Sequence, residues 1–502
     1  MQRLHFRIIL FSFLLYYLCS SITLRDLVLI YSFHIIQDDA LADVQPNNIF
    51  EGAISGMMMP FNELHDDYSY YIPYRRQKDF FGELENNYDG IGITYSTDFN
   101  KKELPVIMYP LLNSPAYEAG IRSGDKITRV NGKKTDSLSA KEIAQLFRSN
   151  QEKSVSLTVQ KFQSKETAEV TLERKPLFRD TVEGDGIDEA GNRTFILQTM
   201  PEIAYIRITS FSSSTAAELH TAVQKIGKPE IKGLILDLRG NPGGFIASAV
   251  EAANLFIKPC SMYDDVIVST RSRSGIVQSS YTVNSGKDKF EKKMVVLVDK
   301  DTASAAEILA AALQDYRRAK IAGERSYGKG TVQEIIELPF NSGIVKLTHC
   351  GYWRPSGKNI NRFWNSNDTD EWGVSPDSGC EIEVSQRQRA AQTLLRNVRS
   401  NAAGENKEEY LTQYIKQLPE EVKQFIKEQK EENETYLNEE EHAEDEEPVH
   451  GSNDNSGNDS NGNNAKDIKP DNQFDSQPLV LQGNAPYYDP QLEKAAEILR
   501  NY

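Results

Sequence analysis

Two stretches leave this chain little freedom in how it folds: "IKGLILDLRG" (231–240) and "KMVVLVDKD" (293–301). Each holds an unbroken apolar run. A strand with one wet face alternates apolar and polar side chains, whereas an unbroken run demands cover on both faces. Segments of helical period follow each run, "FIASAVEAANLFI" and "SAAEILAAALQDYRRA". Upstream lie a strand, "EIAYIRITSF", and an amphipathic helix, "STAAELHTAVQKIG"; downstream lie strands "KIAGE", "TVQEIIELP" and "GIVKLTHCGYW". Strands alternating with helices predict an α/β domain, a mostly parallel sheet with flanking helices, over residues 178–400.

The chain has 502 residues, too many for one ordinary core. At about 100–200 residues per domain, further units are expected on either side. Between 88 and 177 the texture shifts to short alternating runs, "GIGITYS", "LPVIMYPLL", "KITRVNG", "SVSLTVQKF" and "AEVTLERK", with one helical piece, "SAKEIAQLFRS". Strands broken by Gly, Asn and Pro turns predict a small β-rich module. Residues 22–87 read as helical and aromatic-rich around "FEGAISGMMMPFNELHDDYSYYIP", and composition favours a packing arm. From 401 to 475 the chain is acidic and Asn-rich, with almost nothing apolar to bury, so disorder is the physical expectation. In the closing segment, 476–502, Leu492, Ala495, Ala496 and Leu499 share one helical face, a helix suited to docking on the body.

Residues 1–21 have the layout of a secretory signal: Arg3 and Arg7, an apolar centre from Ile8 to Leu18, then Cys19, Ser20 and Ser21. The segment predicts export to the periplasm or display at a membrane. A cleaved signal, an uncleaved anchor and lipidation at Cys19 stay open. A formal charge of -16 excludes the basic face a nucleic-acid binder needs. Beyond the leader the cysteines are Cys260, Cys350 and Cys380, an odd and sparse set that is no disulfide framework, though a Cys350–Cys380 bridge is permitted. No histidine or cysteine pair has metal-ligand spacing, so neither metal nor cofactor is expected.

In open α/β sheets ligands gather at the carboxyl ends of strands. The loops there are "DLRGNPGG" (237–244) and "DKDTASAAE" (299–307). Ser304 opens a helix. With Glu307 it has the capping-box spacing, the reading the residue alone favours; the other reading is a nucleophile beside a free N–H of Ala305. In the second case Glu307 belongs to the helix end and not to the chemistry. A serine needs a base. His220 falls in an amphipathic helix and His349 on a strand, neither convincingly placed. A lysine with a depressed pKa is the alternative, and Lys329, entering "TVQEIIELP", is the candidate. Strand periodicity puts Lys329, Thr331 and Gln333 on one face, letting Gln333 orient the amine. The backbone N–H of Gly243 or Gly244 is a candidate second oxyanion donor; a tight strand-to-helix turn is the bland reading of the same glycines.

Taken together, "GLILDLRGNPGG", "VVLVDKDTASAAEILAAALQDYRRAKIAGERSYGKGTVQ", "RPSGKNI" and "WGVSPD" resemble the carboxyl-terminal processing proteases, also called tail-specific proteases. Upstream, "SPAYEAGIRSGDKITRVNGK" looks like that family's PDZ module, with Gly90, Ile91, Gly92 and Ile93 as its peptide-carboxylate loop. The segment with "LHDDYSYYIP" resembles the region before that module. The resemblance implies a ClpP/crotonase-like protease core and a serine endopeptidase. Ser304 would be nucleophile, Lys329 general base and Gln333 its orienting partner, with oxyanion donors at Ala305 and the Gly243–Gly244 loop. It implies exported or misfolded polypeptides as substrates, engaged near their C termini, and homo-oligomers in some members. Ala306 stands where the family often has serine, and the long acidic insertion departs from its pattern. A catalytically silent PDZ scaffold and an α/β ligand-binding protein remain as alternatives.

Overall fold

The structure, a computed structural model, describes residues 23–96, 104–136, 138–148, 153–162, 164–188, 191–286, 289–401 and 489–501. The leader at 1–21 and the acidic stretch at 401–475 therefore lie almost wholly outside the described residues. Among the described residues no helix is long and apolar enough to cross a membrane.

The protein is a mixed α/β molecule with several sheets. Its centre is a five-stranded sheet in the order Val182–Glu183, Ile203–Ile208, Gly233–Asp237, Lys293–Val298, Lys320–Gly323. The first strand is antiparallel to its neighbour and the remaining pairings are parallel. The apolar runs are central here, and strand periodicity divides their side chains between two faces. Leu234, Leu236, Met294, Val296 and Val298 join one core, roofed by helices Thr215–Lys225, Ile246–Asn254 and Ala305–Asp315. Ile235, Val295 and Leu297 point the other way, onto Ala495, Ala496 and Leu499 of the helix Pro490–Asn501. Both faces are thus dry, which is why these strands lack polar alternation.

The last two strands of this region leave that sheet. Thr331–Glu337 and Ile344–Trp353 form an antiparallel pair in a second five-stranded sheet, with Tyr70–Ile72, Val266–Arg271 and Val277–Thr282. Only a short turn around Pro339–Asn341 joins them, far too little chain for a parallel crossover. The expectation of one mostly parallel sheet is corrected to this extent. The aromatic-rich N-terminal region likewise contributes a strand, Tyr70–Ile72, beside its helices Leu24–Asp39, Pro46–Glu63 and Tyr74–Leu84.

A six-stranded antiparallel sheet builds the β-rich module from Ile93–Ser96 to Thr167–Glu173, with the helix Ala140–Arg148. Its core is separate, with Ile107, Ile121, Ile127, Val155 and Leu157 fully buried. Cys350 and Cys380 are free thiols, so the permitted bridge is not formed. Cys380 instead packs in the cluster under the C-terminal helix.

Candidate active site

The two loops at the carboxyl ends of the central strands are laced together. Gly240 N–H donates to Asp299 Oδ1 (2.9 Å), Thr302 Oγ1 to the Leu238 carbonyl (2.9 Å), and Ala303 N–H to the Asn241 carbonyl (2.9 Å). Gly243 sits hard against the serine: a Cβ there would lie 2.6 Å from Ser304 Cβ and 2.9 Å from Ala305 N, at a φ of +100°. At Gly244 a Cβ would collide with the Phe211 carbonyl oxygen at 2.0 Å. Only glycine permits this approach.

Ser304 has φ 58° and ψ -121°, a backbone conformation that costs an L-residue free energy and persists only where its surroundings enforce it. The enforcement comes from Glu307. Its Oε2 accepts from the Ser304 N–H (2.8 Å), and the Glu307 N–H donates to the Ser304 carbonyl (2.8 Å). The N–H of Ala305, first in the helix, is used by none of the hydrogen bonds among the described residues. Gly243 N–H donates to Asn241 Oδ1 (2.8 Å).

Glu307 also reaches beyond the helix end. It is fully buried, and it accepts from Ser326 Oγ (2.5 Å), Gly328 N–H (2.7 Å) and Lys329 N–H (2.8 Å). One carboxylate oxygen thus holds both the Ser304 and the Lys329 backbones. Burial raises its pKa to about 7 against the lowering effect of these donors. Nothing in the S-x-x-E spacing predicts the second half of this clamp. The available signal is a carboxylate directly ahead of the apolar run from Ile308 to Leu313, which must find partners inside.

Lys329 is half-buried at the start of Thr331–Glu337. Burial, with the nearby charge of Lys346, lowers its pKa to about 8, opposed by Glu307 and Asp66. Its Nζ lies 4.2 Å from the centroid of the Tyr68 ring. The buried Tyr352 phenol donates to the Lys329 carbonyl, and its pKa is raised by burial and by Glu307 against an opposing effect of the Ser304 side chain. Gln333 Nε2 donates to Thr331 Oγ1 (3.0 Å) and Thr348 Oγ1 (3.3 Å). Thr331 and Gln333 do share a face; the amide's partners here are threonines. His220 is exposed on its helix, and exposed His349 faces Glu334 at 3.4 Å.

In the β-rich module, Ile93–Ser96 is the end strand of its sheet, so one edge lacks a described partner. The loop before it is pinned: Ala116 N–H donates to the Ile91 carbonyl (3.0 Å) and Leu111 N–H to the Gly92 carbonyl (2.9 Å). Ile91 is buried in the module core, and Gly90 ends the strand Asn87–Gly90.

Residues 202–378 match the model of peptidase family S41, and residues 106–161 that of the PDZ domain. A carboxy-terminal-processing protease of Bartonella bacilliformis is 30% identical over 355 residues, 69% of this chain and 73% of that protein. The carboxy-terminal processing protease CtpA of Bacillus subtilis is 33% identical over 328 residues, 65% of each chain. Among solved structures, a photosystem II D1 C-terminal processing protease aligns over 72% of this chain and 94% of its own, at 23% identity and a TM-score of 0.40. The matched span contains both laced loops, the Glu307 clamp and the lysine strand, and the relatives carry one shared name: this chain belongs to the carboxy-terminal-processing proteases of peptidase family S41, serine-type peptidases with a PDZ domain.

Proposed function

We propose that this chain is an endopeptidase that cuts exported or misfolded polypeptides, with Ser304 as nucleophile and Lys329 as general base. The observation that carries the reading is the Glu307 clamp, which draws the strained helix start and the lysine strand onto one carboxylate. As Ser304 Oγ attacks the scissile carbonyl carbon, its proton passes to Lys329 Nζ. The resulting oxyanion takes the N–H of Ala305 and that of Gly244, the Gly243 N–H being held by Asn241 Oδ1, and the helix dipole aids both. Collapse expels the amine, which takes the proton back from Lys329. The same lysine then deprotonates the water that hydrolyses the ester. Gln333 steadies the lysine side of the site through Thr331 and Thr348.

The PDZ domain supplies recognition in this reading. An extended C terminus adds to the edge strand Ile93–Ser96, and its carboxylate meets the backbone N–H groups of the Gly90–Ile93 loop. The remaining elements of the proposal are a ClpP/crotonase-like core over 178–400 and the leader's export of the chain. The test is digestion of casein and a tagged peptide by the unmodified chain and Ser304→Ala. Loss of cleavage in the variant supports the reading; equal cleavage ends it.

A further inference from the structure

The segment "LHDDYSYYIP", composed like a packing arm, runs into the lysine side of the site. Tyr68 lies with its ring centroid 4.2 Å from Lys329 Nζ, and its hydroxyl is 3.2 Å from that of Tyr327. Asp66 organises the segment. Its Oδ1 accepts from Tyr68 N–H (3.1 Å) and Thr348 Oγ1 (2.9 Å), and its Oδ2 from Ser69 Oγ (2.6 Å). Ser69 Oγ in turn accepts from Thr348 N–H (2.8 Å). Thr348 Oγ1 is also the acceptor for Gln333. A few residues on, Tyr70–Ile72 pairs with Ile344–Trp353, which holds the segment in the sheet that carries Gln333.

We propose that Tyr68 is a positioning residue for proteolysis: its ring covers the Lys329 amine, and Asp66 and Ser69 fasten that ring to Thr348. The proposal rests on Lys329 being the general base. A ring face attracts an ammonium. It also keeps water off, which favours the neutral amine. Both effects restrict where Nζ lies, and a base displaced by an ångström loses much of its rate. The charged groups acting on Lys329 are Lys346 on the neighbouring strand, Glu307 on the nucleophile helix and Asp66 on the segment itself. On Tyr68, burial first, then the hydrogen bond with Tyr327 and the charges of Asp67 and Glu307, raise the phenol pKa well above the usual range. Tyr68 therefore stays a neutral ring through the working pH range.

The experiment compares full-length unmodified chain with Tyr68→Phe, Tyr68→Leu and Tyr68→Ala. It reads kcat and KM for one peptide from pH 6 to 10, with Tm alongside. Tyr68→Phe keeps the ring and is expected within about twofold of the unmodified chain at the same pH midpoint. Tyr68→Ala is expected to lose roughly ten- to a hundred-fold in kcat with KM little changed. Its midpoint should move to higher pH as water reaches the amine. Tyr68→Leu keeps cover without a ring face, so kcat falls with no alkaline shift, and this variant decides if Tyr68→Ala does not fold. Unchanged kcat in Tyr68→Leu, an unmoved midpoint in a folded Tyr68→Ala, or Tyr68→Phe falling as far as Tyr68→Ala each overturns the proposal. In each of these cases Ser304→Ala and Lys329→Ala still abolish cleavage. If those two cleave normally, the general-base reading itself has failed.

Discussion

A lysine takes a proton from serine only while its own amine is neutral. With its pKa lowered to about 8, chiefly by burial, Lys329 would be mostly protonated at pH 7, the wrong state for the general base proposed here. The expected kcat/KM therefore climbs about tenfold per pH unit below the midpoint and levels above it, as a steady-state pH profile will read. Lys329→Ala should fold and lose cleavage. At Glu307 the four donors leave no place for an amide NH2, so Glu307→Gln puts donor against donor. We expect it to cost about 1–3 kcal/mol of stability, seen as a lower Tm, and to lower activity as the serine and lysine backbones separate. The places of Ser304 at a helix start and of Lys329 just ahead of a strand were legible, because apolar runs and glycines mark those boundaries. Glu307 was half legible: its helix-end bond follows from spacing, whereas its hold on Lys329 is a contact made only by folding. The bond of Gly243 N–H to Asn241 Oδ1 was equally invisible, since turn residues do not declare their partners.

At the scale of elements, the C-terminal helix is tied to the Asp237–Gly244 loop by charge. Arg239 is fully buried and donates to Asp237 Oδ1 and Oδ2, Asp489 Oδ1 (2.7 Å) and Gln491 Oε1 (3.0 Å). Burial alone would push Asp489 up, but Arg239 outweighs it and holds the carboxyl low. Asp489→Ala leaves a buried guanidinium short of a partner, and a loss of about 3–5 kcal/mol is expected in denaturant unfolding. A loss within about 0.5 kcal/mol would show that the helix is dispensable. Hydrophobic period revealed this helix through Leu492, Ala495, Ala496 and Leu499, of which Ala495, Ala496 and Leu499 are buried. Its anchor did not show, because a pairing across so much sequence leaves no local pattern. The buried strands Gly233–Asp237 and Lys293–Val298 were read directly from their unbroken apolar runs. The antiparallel hairpin Thr331–Glu337 with Ile344–Trp353 was seen as strands but assigned to the wrong sheet, since strand propensity says nothing about partners.

For the whole molecule, the proposed function gives recognition to the PDZ domain and cutting to the S41 core. A substrate with a free C-terminal carboxylate should be bound better than its amide. Losing charge-assisted bonds costs about 1.5–3 kcal/mol, roughly a ten- to hundred-fold rise in KM with kcat little changed. Equal KM for acid and amide forms would remove the Gly90–Ile93 loop from recognition. The central claim is chemical and is tested most directly by intact-mass and peptide mapping after reaction with an activated peptide ester at pH 8. The account predicts one acyl group, on Ser304, in the unmodified chain, and none in Ser304→Ala or Lys329→Ala. Acyl transfer to another residue, or undiminished labelling of Lys329→Ala, would contradict it.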